Sequence, residues 1–185
     1  MTRLAGSAAA QEALDVRVGA SEIVSAGQIR VVLDRLAAEI TDVLAETCPV
    51  LLAVMHGGVF TAVELSRRLD FPHEFDYVHS SRYGKALTGG EIEWLVRPRE
   101  SLRGRPVLVV DDILDKGETL AAVLEALIGV GVEHAYSAVL VEKALDVPRS
   151  TADFVGLTVA DAYVFGCGMD YKGFWRGLPA LYAIA

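Results

Sequence analysis

The stretch Val107 to Leu120, V-L-V-V-D-D-I-L-D-K-G-E-T-L, constrains this chain more than any other. Val107 to Val110 is an unbroken apolar run, as a strand requires when both faces of its sheet are covered. Two carboxylates, Asp111 and Asp112, follow at the expected carboxyl end of that strand. After Ile113 and Leu114 comes a short polar turn, Asp115-Lys116-Gly117-Glu118-Thr119. Leu120, Val123, Leu124, Leu127 and Ile128 then recur at helical spacing. Strand, tight turn with a glycine, then helix start is how an α/β protein offers backbone N–H groups to phosphate. The Asp pair is suited to hold hydroxyls or a magnesium ion. Together these residues predict a site for a phosphorylated sugar. The alternative is a buried strand whose acids merely turn the chain and cap a helix.

The remaining chain supplies the scaffold for such a strand. Residues Met1 to Ala20 carry little pattern. Ser25-Ala26-Gly27-Gln28 fits a capping box, and Ile29, Val32, Leu33, Leu36, Ile40, Val43 and Leu44 form one apolar stripe. That predicts a helix ending near Cys48-Pro49. Val50 to Met55 reads as a second buried strand, followed by His56-Gly57-Gly58 and a helix through Val59, Phe60, Val63 and Leu69. A glycine pair between strand and helix permits close backbone approach to a ligand, or is an ordinary turn. Phe75 to His79 predicts a third strand. Ser80 to Gly90 is polar and Gly-rich, either a lid or a link, and Glu91 to Val96 returns as a strand. His134 to Val141 gives another strand, ending in Glu142-Lys143; Phe154-Val155-Gly156 and Tyr163 to Gly166 are shorter pieces. Alternating strands and helices predict an α/β fold, a mainly parallel sheet with helices on both faces. Terminal segments, about 1–24 and 150–185, are expected to form a small hood over the strand ends, within one domain of 1–185.

Composition limits the partners. The 185 residues are 52% hydrophobic with a net charge of −8, which disfavours non-specific binding to nucleic acid or to an anionic membrane. An acidic protein handling a phosphorylated sugar needs metal ions and local donors to offset repulsion, and Mg2+ is the natural candidate. Cys48 and Cys167 stand far apart in no metal-ligand spacing, as expected for two reduced, structural thiols in a cytoplasmic protein, the alternative being a disulfide or a nucleophile. The N-terminus has no apolar core of a signal peptide, and the run Val50 to Met55 is too short to span a bilayer.

The Val107 to Thr119 stretch resembles the phosphoribosyl-diphosphate motif of type I phosphoribosyltransferases: four apolar residues, two acids, two apolar residues, then a small loop. An Asp at the start of that loop, Asp115, is similar to the version in 6-oxopurine (hypoxanthine–guanine) phosphoribosyltransferases. The resemblance covers roughly Val50 to Arg176. It implies transfer of 5-phosphoribosyl from 5-phosphoribosyl 1-diphosphate to hypoxanthine or guanine, giving IMP or GMP and diphosphate. It also implies roles. Asp111, Asp112, Asp115, Lys116, Gly117, Glu118 and Thr119 would bind ribose and its 5-phosphate, with Asp115 the general base. Lys143, Tyr163, Val164 and Met169 would hold the purine, although Lys143 alone reads as a surface residue and Tyr163 alone as core. His56, Gly57, Gly58 and Arg176 would contact diphosphate, through a cis Met55–His56 peptide. Relatives often carry Lys or Arg where His56 stands. Asp111, Asp112 and Asp170 would be linked to magnesium, and Ser81 and Tyr83 would belong to a closing lid. A homo-oligomer, dimer or tetramer, is expected as well. The alternatives are a xanthine-preferring enzyme and a nucleotide-sensing regulator on the same fold.

Overall fold

Apolar runs such as Val50–Met55 and Val107–Val110 leave no polar face to turn toward water, so they must lie between two layers. The computed structural model, which describes residues 7–82, 92–145 and 150–184, meets that demand. In chain order the elements are α1 (Ala8–Gly19), β1 (Ser21–Val24), α2 (Ala26–Leu44), β2 (Val50–Met55) and α3 (Gly58–Ser66). They continue with β3 (Glu74–Arg82), β4 (Ile92–Val96), a 3-10 turn (Glu100–Leu102), β5 (Pro106–Leu114), α4 (Glu118–Val130) and β6 (His134–Lys143). The last are β7 (Phe154–Val159), β8 (Tyr163–Phe165) and β9 (Leu181–Ile184). Six strands form one sheet in the order β4-β3-β2-β5-β6-β7, parallel except for β4.

The alternation of side chains along β5 divides the core. Leu108 and Val110 pack with Leu33, Leu36 and Ile40 of α2 and Ala62 and Leu65 of α3. Val107 and Val109 face the other way, onto Val123 and Leu127 of α4. Both layers are built of buried apolar side chains, and β5 runs between them with its partners β2 and β6 in parallel register. Helix α2 begins as expected: Ser25 accepts from Gln28 N, and Gln28 Oε1 accepts from Ser25 N at 2.9 Å. No helix among the described residues is long and apolar enough to cross a membrane.

Several boundaries differ from the sequence reading. Residues 8–19, expected to carry little pattern, form α1; only Ala13 of it is buried, so no apolar stripe marks it. Polar contacts hold it instead. Glu12 accepts from Tyr171 Oη at 2.7 Å and from Lys172 Nζ at 2.6 Å, and Trp175 Nε1 donates to the Ala13 carbonyl at 2.8 Å. Helix α2 stops at Leu44 and α3 at Ser66, short of Cys48 and Leu69. Strand β5 continues through the Asp pair to Leu114, because Asp111 and Ile113 keep their pairing with Val139 and Val141 of β6. The hood is an antiparallel sheet, β1-β9-β8, around Phe165, Ala180 and Tyr182. Phe154–Val159 is not part of it; that segment is the edge strand of the main sheet. Both cysteines are free thiols, Cys48 exposed and Cys167 buried, and burial raises the Cys167 thiol pKa to about 12.

Candidate active site

A cavity of about 450 Å³ opens at the carboxyl ends of β2, β5 and β6, beneath the hood. A larger groove of about 790 Å³ lies beside it between α2 and α3, lined mostly by apolar side chains such as Ile29, Leu33 and Phe60. Size alone would favour the groove. Convergent carboxylates, an ammonium and a guanidinium favour the smaller cavity as the place for chemistry.

The floor comes from β5. Asp111 and Asp112 are both buried, and Asp111 Oδ1 accepts from the Asp112 amide at 2.9 Å. Burial pushes the Asp111 carboxyl well above the ordinary carboxylate range, and the neighbouring Asp112 charge adds to the shift. Burial also raises Asp112, while a hydrogen bond from Asp111 and the positive charge of Arg176 oppose it. Two acids kept from ionising comfortably are suited to a cationic or hydroxyl ligand.

One wall is the loop after β2. The Met55–His56 peptide is cis. His56 and Gly57 line the cavity, and the His56 ring meets His79 edge-on with centroids 4.5 Å apart. Burial, then the nearby His56, lowers the His79 pKa. The glycine pair is required by space. A Cβ on Gly57 would collide with the Asp112 carboxylate, and one on Gly58 would sit 2.5 Å from the Val110 carbonyl oxygen. Gly58 presses α3 against β5, while its neighbour Gly57 lines the cavity.

The opposite wall is the turn from β5 to α4. Asp115, Lys116, Gly117, Glu118 and Thr119 all line the cavity. Gly117 caps α4 at φ 76°, a conformation that disfavours any side chain, and no side chain caps the helix. The positive end of the α4 dipole is therefore directed at this wall, as an anion site requires. At the end of β6, Lys143 Nζ lies 3.4 Å from Asp115 Oδ2 and 3.2 Å from Asp161 Oδ1.

The hood closes the top. Tyr163, half exposed, donates from its hydroxyl to the Asp170 carbonyl at 3.1 Å; Val164 and Met169 are buried beside it. Arg176 donates to the Gly168 carbonyl at 2.7 Å and pairs with Asp170 Oδ1 at 2.6 Å. Asp170 Oδ2 also accepts from the Gly173 amide. Ser80, at the β3 edge of the cavity, is a lining residue that the sequence did not single out. Of the expected lid pair, Tyr83 lies outside the described residues, and only the backbone of Ser81 is described, within β3. Asp161 was also missed. Its signal was slight, an acid two residues before Tyr163.

Strand order, cavity position and the β5 motif define an α/β fold with a polar cavity at its strand ends, and comparison with known proteins gives the family. Residues 19–172 match the phosphoribosyl transferase domain model. The chain belongs to the type I phosphoribosyltransferases. Among its relatives is the hypoxanthine-guanine phosphoribosyltransferase of Bacillus subtilis, 30% identical over 163 residues, covering 85% of this chain and 88% of that protein. The hypoxanthine-guanine-xanthine phosphoribosyltransferase of Tritrichomonas foetus is 33% identical over 151 residues, 79% of this chain and 81% of that one. A crystal structure of a Bacillus anthracis hypoxanthine-guanine phosphoribosyltransferase, with HEPES in its active site, superposes with a TM-score of 0.82 at 26% identity. It covers 89% of this chain and 98% of that chain.

Proposed function

We propose that this enzyme moves 5-phosphoribosyl from 5-phosphoribosyl 1-diphosphate to hypoxanthine or guanine, a purine-salvage reaction giving IMP or GMP and diphosphate. The observation that carries the reading is the Asp115–Lys143 pair, 3.4 Å apart, between the phosphate-loop wall and Tyr163. Such a pair matches the 6-oxopurine edge, on which an exocyclic oxygen accepts and a ring N–H donates. The base nitrogen bonds to the ribose anomeric carbon while the carbon–oxygen bond to diphosphate breaks. Asp115 accepts the proton that the purine ring releases, and Lys143 offers its ammonium to O6. Lys116 to Thr119 hold the 5-phosphate against the start of α4, and Asp111 and Asp112 orient the ribose hydroxyls. Tyr163 stacks on one face of the purine, with Val164 and Met169 beside it. His56, Gly57 and Arg176 receive the departing diphosphate. Closure of the site over the reacting carbon would exclude water.

Magnesium fits the donor set. Asp111 and Asp112 are hard oxygen donors whose pKa values burial has raised, which is the environment a divalent cation relieves. Asp170 engages Arg176 and the Gly173 amide with its two oxygens, so direct metal ligation there competes with that ion pair. When bound with the donor, Mg2+ neutralises charge on the leaving diphosphate. The homo-oligomer expected from the resemblance draws support from the apolar groove between α2 and α3, where Phe60 and Val63 are exposed. Light scattering tests it.

The direct test of the reaction is a panel of hypoxanthine, guanine, xanthine and adenine with donor and Mg2+. The two 6-oxopurines hypoxanthine and guanine should turn over and adenine should not, because an amino group at C6 would face the Lys143 donor. Turnover of xanthine above both would favour the xanthine-preferring alternative. No turnover of any base would favour the regulator.

A further inference from the structure

Among the described residues, Lys143 is shared between two carboxylates. Its Nζ is 3.4 Å from Asp115 Oδ2 and 3.2 Å from Asp161 Oδ1. The Lys143 side chain is only 14% exposed, against 48% for Asp115 and 62% for Asp161. One ammonium thus bridges the phosphate loop and the turn between β7 and β8.

Sheet geometry fixes the Asp161 end of that bridge. Lys143 is registered with Val159 across the β6–β7 pair, and the Ala144 amide donates to the Val159 carbonyl at 2.8 Å. Asp161 follows two residues later, where the chain leaves the main sheet for the hood. Two residues further stands Tyr163, on the wall of the cavity. The turn that presents the acid therefore also delivers the aromatic wall.

A cation between two acids fully satisfies neither. If the Asp161 charge were removed, the ammonium would be drawn toward Asp115, the other acidic partner it has among the described residues. It would then lie away from the edge of an incoming base, and the Asp115 oxygen it captured would be less available to accept a proton. We propose that Asp161 is a positioning residue for base recognition, holding the Lys143 ammonium off Asp115 so that cation and carboxylate can act on separate atoms of one heterocycle. This rests on the 6-oxopurine reading above and adds to it a residue that would not itself touch substrate.

The test uses Asp161→Asn, nearly equal in shape but uncharged, and Asp161→Glu, which keeps the charge. Loss of one charge-assisted contact predicts a KM for hypoxanthine or guanine raised about tenfold. The donor KM should stay within about twofold of wild type, as should the affinity for ribose 5-phosphate, which lacks a base, whereas GMP should bind about tenfold more weakly. Asp161→Glu should recover most of the loss. A wild-type base KM in Asp161→Asn overturns the proposal, as does an equal rise for donor and base, or a Glu variant as impaired as the Asn variant. Failure of the wild type on every 6-oxopurine would instead overturn the reaction reading, so the two failures are separable.

Discussion

Substituting Gly58 by alanine tests whether the loop after β2 is wedged as tightly as the geometry indicates. The added Cβ would lie 2.5 Å from the Val110 carbonyl oxygen, 2.9 Å from Asp111 Cα and 3.2 Å from Asp111 Oδ1. The first two atoms are backbone of β5, which β2 and β6 hold on both sides, so the strand cannot easily yield. The start of α3 must move outward by roughly 1 Å to reach ordinary contact distance, an overpacking that costs about 1–3 kcal/mol. Better helix propensity of alanine offsets at most ~1 kcal/mol of this. The net loss, about 1–2 kcal/mol, corresponds to a melting temperature lower by roughly 2–8 °C for a chain of this size. The displacement also carries Gly57 and His56 away from the cavity, so affinity for the ribosyl donor with Mg2+ should fall about tenfold. Thermal melting and donor titration read the two effects. Gly27→Ala is the control: its nearest contact is Ser25 Oγ at 3.9 Å, so within α2 it should leave the melting temperature unchanged or raise it through alanine's better helix propensity. A Gly58→Ala protein with wild-type melting and wild-type donor affinity would refute the wedge.

Other perturbations address the remaining parts. Asp115→Asn should reduce turnover by about 10²–10⁴-fold while GMP still binds in a titration; unchanged turnover would move the proton acceptor elsewhere. Lys143→Ala should raise KM for 6-oxopurines far more than KM for the donor, and a uniform loss would count against an O6 contact. The Asp pair also makes a stability prediction for the metal-free, ligand-free protein. Because burial raises both carboxyl pKa values above the ordinary 3.8, the folded state holds protons that the unfolded state has released, so the pair's contribution falls as pH rises through and above that range. The melting advantage of Asp111→Asn over wild type should therefore be larger at about pH 8 than at about pH 4 in the presence of chelator, and an advantage independent of pH would contradict it.

How much of this was legible in the sequence depended on whether a residue's role was local. Two-sided burial writes itself as an unbroken run, so β2 and β5 could be read directly, and the capping box with its apolar stripe marked α2. The turn Asp115 to Thr119 was legible because strand, glycine and helix stand in immediate succession. Features that depend on distant partners were not. Helix α1 buries only Ala13 and is held by Tyr171, Lys172 and Trp175, about 160 residues away in sequence, so it left no periodic signal. Strand β9 is four residues long and is defined by its pairing with β1 and β8. Phe154–Val159 resembled the short hood pieces in composition, and only its register with β6 assigns it to the main sheet. Asp161 shows the same limit at the site: a turn acid becomes notable only once Lys143 is seen 3.2 Å away.

The most direct measurement is a crystal structure of the protein soaked with GMP. The nucleotide should place its phosphate against Lys116 to Thr119 at the start of α4, with its base between Tyr163 and the Lys143–Asp115 pair. GMP found in the groove between α2 and α3, with the β5–α4 turn unengaged, would contradict the account.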